Sequence, residues 1–272
     1  LADANGEAAV AEAGGREAAS PKTQLPMFYR KPEALHPARH GALSLITRPD
    51  FSFAVTAHAI PIMASEMPAA MRSYPIVFVG PQKAPVVITG QRQNENLFVE
   101  PDGSWSAPHY VPAYVRRYPF VLAEDKQPAE RLTLCIDRES DRIVEAVVAP
   151  LAGDGSVATP LFDGAEPSQA TRGALEFCNQ FQMGFAATRA MIESIDALNL
   201  FVPRKSTVTL EGREVLNLTD FQVVDEAALN ALGDGDFLQL RRSGALALIY
   251  CHLASSNSWN SLAFQAKSRK SK

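Results

Sequence analysis

The chain has 272 residues, 46% of them hydrophobic and 21% charged, with a formal net charge of −4. That is enough apolar content to bury a core in one large domain or two small ones, and the slightly acidic balance removes any bulk electrostatic case for nucleic-acid binding. The longest apolar runs, such as residues 245–250, fall far short of the roughly 20 residues a membrane-spanning helix needs, so no span is expected.

Residues 1–23 are rich in Ala, Gly and Glu and carry neither a basic start nor an apolar signal-type stretch. They read as a flexible arm, because they hold too little apolar surface to order themselves. Strand signals begin after Gly41: Leu43, Leu45 and Ile46, then Phe51, Phe53, Val55 and Thr56, parted by an Arg48-Pro49-Asp50 turn. Residues 61–73 predict a helix, with Pro61 in its first turn, Met63, Met67 and Met71 at helical spacing, and Pro68 threatening its middle. Short strands follow at 76–79 and 86–89. A hairpin is expected over 96–106, turned by Pro101-Asp102-Gly103. Residues 131–137 and 142–148 read as two strands paired through the polar segment between them.

A loop rich in Gly, Ala and Pro at 150–167 is the candidate subdomain boundary. Ser168 then caps a long helix near 168–198, where Phe177, Phe181, Phe185, Ile192 and Ile195 recur at helical spacing. At about 1.5 Å per residue that helix is about 45 Å long, so Gly184 marks a bend or one end projects toward a partner, a second copy of the chain included. A hairpin around Glu211-Gly212-Arg213, a short helix capped by Asp225, and another stopped by Gly244 complete the pattern. Residues 245–253 suit a buried strand or a helix equally. The fold class is therefore α+β: short antiparallel strands and hairpins first, the long helix, then a hairpin and short helices. Residues 24–264 form the domain, and 265–272 a basic, flexible tail.

Chemical signatures are sparse. Cys135, Cys178 and Cys251 are far apart, odd in number and set in apolar stretches, which fits reduced buried thiols in a cytoplasmic setting and no disulfide framework. His36 and His40 have the i, i+4 spacing of two metal ligands but no third ligand nearby, and no metal or cofactor is expected. His252 adjoins Cys251, so the two side chains point apart. Glycine-rich phosphate loops, nucleophile elbows and zinc-protease motifs are absent from the sequence.

The most distinctive stretch is Tyr-Val-Pro-Ala-Tyr-Val-Arg-Arg-Tyr-Pro-Phe at 110–120. Pro112 starts and Pro119 ends one or two helical turns, placing Tyr110, Tyr114 and Tyr118 on one side with Arg116 and Arg117 beside them. Tyrosine and arginine are enriched at interface hot spots, so these five residues are the candidate binding surface for a protein or peptide. The competing reading packs the tyrosines under strands and leaves the arginines to surface ion pairs.

Several segments together resemble the SapC-like family: Phe51-Ser-Phe-Ala54 with Pro61 and Glu66, Tyr74-Pro-Ile-Val-Phe78, Asn96-Leu-Phe-Val99, the stretch at 110–120, Cys135-Ile-Asp137, and Leu246 to Leu253 with Ser255. They extend over roughly residues 25–264. The resemblance implies a bacterial surface-layer association. It also implies an accessory or substrate-presenting role, since such proteins accompany flavin-dependent halogenase-like and cupin-like proteins. It brings no catalytic residues. A non-enzymatic interaction protein is the first reading; an enzyme whose site assembles from dispersed groups such as Glu66, Asp137 and His252 is the second.

Overall fold

The computed structural model describes residues 25–124, 132–145, 157–209 and 215–270. The first part of the chain gives β1 (Pro32–Ala34), α1 (Pro37–His40), β2 (Leu43–Thr47), β3 (Ala59–Pro61), α2 (Met67–Ala70), β4 (Ile76–Val79) and β5 (Ala84–Ile88). After α3 (Ala113–Arg116) come β6 (Phe120–Glu124), β7 (Leu132–Asp137), β8 (Ile143–Glu145), β9 (Val157–Pro160), β10 (Phe162–Asp163) and β11 (Glu166–Pro167). The long α4 (Gln169–Asp196) leads into the hairpin β12 (Phe201–Thr209) and β13 (Val215–Val224). Four helices close the chain: α5 (Glu226–Asn230), α6 (Asp234–Ser243), α7 (Ala245–Ser255) and α8 (Ser258–Lys270).

Every strand pairing among these residues is antiparallel. The largest sheet has the order β12-β13-β4-β5-β3; two three-stranded sheets run β1-β7-β6 and β8-β2-β9, and β10 pairs with β11. The α+β class follows directly. The main core lies on the five-stranded sheet, where Ile60, Ile62, Phe78 and Phe98 are fully buried, each contributing roughly 1.5–3 kcal/mol. A second cluster gathers Leu43, Phe120, Ile136, Leu161 and Cys178. Helix α4 serves both, Phe181 and Ile192 in the first and Cys178 in the second.

The helix follows its sequence signals closely. Ser168 caps it by accepting from the Thr171 amide at 3.3 Å, and the buried positions 171, 178, 181, 188, 192 and 195 fall on one stripe. Gly184 answers a close approach: a Cβ there would sit 2.5 Å from Met63 Sδ. Asp225 caps α5 through the Ala227 and Ala228 amides, and Gly244 ends α6 at φ +81. Residues 245–253 are helical, with Ala245, Leu248, Ile249, His252 and Ser255 forming the buried face of α7.

Five expectations need correction. Residues 51–56 form a 3₁₀ turn (Ser52–Ala54), because Asp50 Oδ1 accepts from the Ser52 amide at 2.9 Å and holds a local turn that competes with a ladder. The helix expected over 61–73 shrinks to a 3₁₀ turn (Ala64–Glu66) and α2: Pro61 pairs with Val86 in the sheet, and Pro68 stands in the first turn of α2. Strands β7 and β8 do not pair with each other; β7 joins β1 and β6, and β8 joins β2. Residues 265–270, expected in a flexible tail, continue α8, with Ala266 buried and Arg269 donating to the Asn96 and Val99 carbonyls. The hairpin over 96–106 is reduced to one bridge, Val99 with Trp105. The arm at 1–23 and the turn at 211–213 lie outside the described residues.

Candidate functional site

Pro112 precedes α3 and Pro119 follows it, so the 110–120 stretch makes the short helix its prolines dictate. Its aromatic face turns inward. Tyr114 and Tyr118 are buried; Tyr118 stacks on Phe53 at 4.3 Å between centroids, and Tyr114 meets Phe28 and Phe181 edge-on. Arg117 lies over the Tyr114 ring at 4.2 Å and the Phe181 ring at 4.5 Å. That sandwich is packing as much as charge. Arg116 and Tyr110 differ: Arg116 is exposed, 5.3 Å over Phe177 and 5.8 Å over Tyr110, and donates to the Val111 carbonyl and the Tyr110 hydroxyl at 3.1 Å each. Of the five residues expected on one surface, the exposed cation beside an aromatic pair is Arg116 with Tyr110.

The buried carboxylate Glu66 holds this corner. Its Oε1 accepts from the Tyr110 hydroxyl at 3.0 Å and the Ala113 amide at 2.7 Å, and its Oε2 from the Met63 amide at 2.8 Å. Burial, then Glu66, push the Tyr110 hydroxyl above the usual tyrosine range, with Arg116 opposing. A relay from Arg116 through Tyr110 to Glu66 therefore fixes the exposed guanidinium from behind.

Two cavities open here. One of about 340 Å³ is lined by Met63, Glu66, Tyr110, Arg116, Phe177 and Gln180, among others. The next, about 220 Å³, has Arg48, Arg116, Arg117, Arg142, Pro119 and Phe177 in its walls. Arg116 and Phe177 are common to both, so the cavities adjoin across that pair. From Ala174 to Gly184 the α4 wall extends about 15 Å, the length of roughly four or five residues of extended peptide.

The other candidates have structural partners. Asp137 accepts from the Arg30, Lys31 and Glu139 amides and the Tyr118 hydroxyl. His252 bridges Ile76 and Val224. The groups of the dispersed-site reading thus occupy three separate hydrogen-bonded settings, and of these Glu66 alone lines either cavity. His36 caps α1 by accepting from the Ala38 amide at Nδ1, while His40 Nδ1 accepts from the His36 amide and its Nε2 lies 3.5 Å from Glu33. All three cysteines are free thiols, and burial pushes Cys178 up to about 11 despite Arg117. Sequence reasoning missed Arg48, Arg142, Phe177 and Gln180 as lining residues; no local motif marks them. Among the described residues no helix is long and apolar enough to cross a membrane.

Arg116 and Arg117 should part in behaviour. Arg116→Glu is expected to cost about 1 kcal/mol or less, since its ring contacts and hydrogen bonds are solvent-exposed. Arg117→Ala is expected to cost about 2 kcal/mol through lost ring contacts. Urea denaturation of both variants checks this, and equal costs would contradict the assignment.

This is an α+β protein with a groove between a short proline-bounded helix and a long one. Residues 35–262 match the family model described as SapC, and the chain belongs to the SapC family. No curated protein and no solved structure matches the chain.

Proposed function

We propose that this SapC-family protein is a non-enzymatic accessory protein that holds a protein or peptide segment in the groove between α3 and α4. The observation that carries the reading is Arg116: exposed, backed by the Tyr110 and Phe177 rings, fixed through Tyr110 to Glu66, and common to both cavities. A held guanidinium flanked by aromatic area is the chemistry of hot spots, since its ordering entropy is spent before binding. Surface-layer association, or presentation of that segment to a partner enzyme such as a flavin-dependent halogenase-like protein, is the setting that the family resemblance suggests.

Selection of short displayed peptides on the wild-type chain tests the reading. An enriched motif should bind in solution, and Arg116→Glu should weaken it by about 2 kcal/mol, roughly thirtyfold. Failure to enrich any motif, or equal binding by Arg116→Glu, rejects the groove as the binding surface.

A further inference from the structure

The smaller cavity has an unusual wall: Arg48, Arg116, Arg117 and Arg142 converge on it, and no acidic side chain lines it. Among the described residues Arg48 is the one member of this set with a carboxylate within ion-pair distance, Asp50 at 3.0 Å. Arg142 is held by backbone instead, donating to the Tyr118 carbonyl at 3.3 Å, the Arg48 carbonyl at 3.4 Å and the Asp50 carbonyl. Burial disfavours its cation; Asp50 opposes this and Arg48 adds to it. Buried guanidinium Nε atoms of Arg48 and Arg117 have no hydrogen-bond partner among the described residues. A buried N–H left unpaired costs stability, and more so on a cation.

We infer that the 220 Å³ cavity is an oxyanion site, taking a carboxylate or phosphate group between Arg48, Arg116, Arg117 and Arg142. Guanidinium forks match both groups geometrically, and like charges gathered in a concave, partly dry wall raise the local potential for an anion. The cavity is several times the ~30 Å³ that a water occupies, enough for one such group. The group's origin on a bound segment rests on the proposed peptide-binding function; the oxyanion chemistry does not, because it can be read with small anions alone.

The test follows side-chain Nε–H resonances of Arg48 and Arg117 by NMR while inorganic phosphate, or acetate in a second arm, replaces chloride at constant ionic strength. Saturable shifts of both signals are expected, weakened at least tenfold in Arg48→Gln and in Arg116→Gln. Phosphate binding at least tenfold tighter than acetate marks a phosphoryl group as the natural occupant; acetate equal or tighter marks a carboxylate. Arg116→Gln stays informative if Arg48→Gln fails to fold, since Arg116 is exposed. Linear, unsaturated drift, or equal response in folded variants and wild type, overturns the oxyanion site. A peptide motif that binds the groove while neither anion does would overturn this inference and leave the proposed function standing.

Discussion

Replacing Asp137 with alanine is expected to lower the unfolding free energy by about 3–5 kcal/mol, one of the two largest effects the structure implies. The reason begins at the start of β1. Pro32 lies opposite Asp137 in the β1–β7 ladder and has no N–H to give it. The two amides just before it, Arg30 and Lys31, overshoot the sheet, and the Asp137 carboxylate receives them at 3.1 and 2.8 Å. The same group accepts from the Tyr118 hydroxyl at 3.0 Å and the Glu139 amide at 3.3 Å. One fully buried side chain thus ties the entry to β1, the end of β7 and the exit from α3. Alanine leaves all four donors without their acceptor. Asparagine keeps one acceptor oxygen and is expected to lose about 2 kcal/mol. Urea midpoints at pH 7 distinguish the series; an Asp137→Ala loss below about 1 kcal/mol would show that the carboxylate is not structural and return it to the list of reactive groups.

Much of the fold was legible because its signals are local. A capping serine and an apolar stripe specify α4, and Asp225 and Gly244 mark helix ends through their own hydrogen bonding and φ angle. Residues 51–56 show where locality misleads: β-favouring aromatics lost to a turn held by Asp50, and their rings went to Tyr118 and Arg142 instead of a ladder. The site was half legible for a related reason. Spacing put Tyr110, Tyr114 and Tyr118 on one side of a helix, but only the arrival of Phe28, Phe53 and Phe181 decided that the last two are buried. The arginine-lined cavity had no signal at all. Arg48 and Arg142 meet across 94 residues, and neither sits in a motif.

The pH dependence should centre on His252. Strand β13 pairs with β4 at Phe221–Val79 and Gln222–Phe78, and continuing that register would place Val224 opposite Ile76. The imidazole stands between those two instead. Its Nδ1 lies 2.8 Å from the Ile76 carbonyl, and its Nε2 accepts from the Val224 amide at 3.1 Å. This arrangement requires the neutral ring with its proton on Nδ1, because a protonated Nε2 would face another donor. Ser255, one turn on, accepts from the Ile76 amide at 3.0 Å, so α7 grips that residue at both polar groups. Burial lowers the His252 pKa to about 4, partly opposed by the Ile76 carbonyl. A folded-state value below the unfolded one means that the contribution is fully present above about pH 6.5 and is lost as the pH falls toward 4. Across that window the loss amounts to about 3 kcal/mol. His252→Gln should be less stable at pH 7 by about 1–2 kcal/mol, having lost the donor to Ile76. It should also lack the slope, so the wild-type curve, losing more than the gap of about 1–2 kcal/mol, crosses below the variant's between pH 6.5 and 4. Denaturation at half-unit pH steps measures the difference directly. A constant gap between the two curves over that range, or an imidazole titration midpoint near 6.5 by NMR, would show that His252 is not held neutral by the strands it joins.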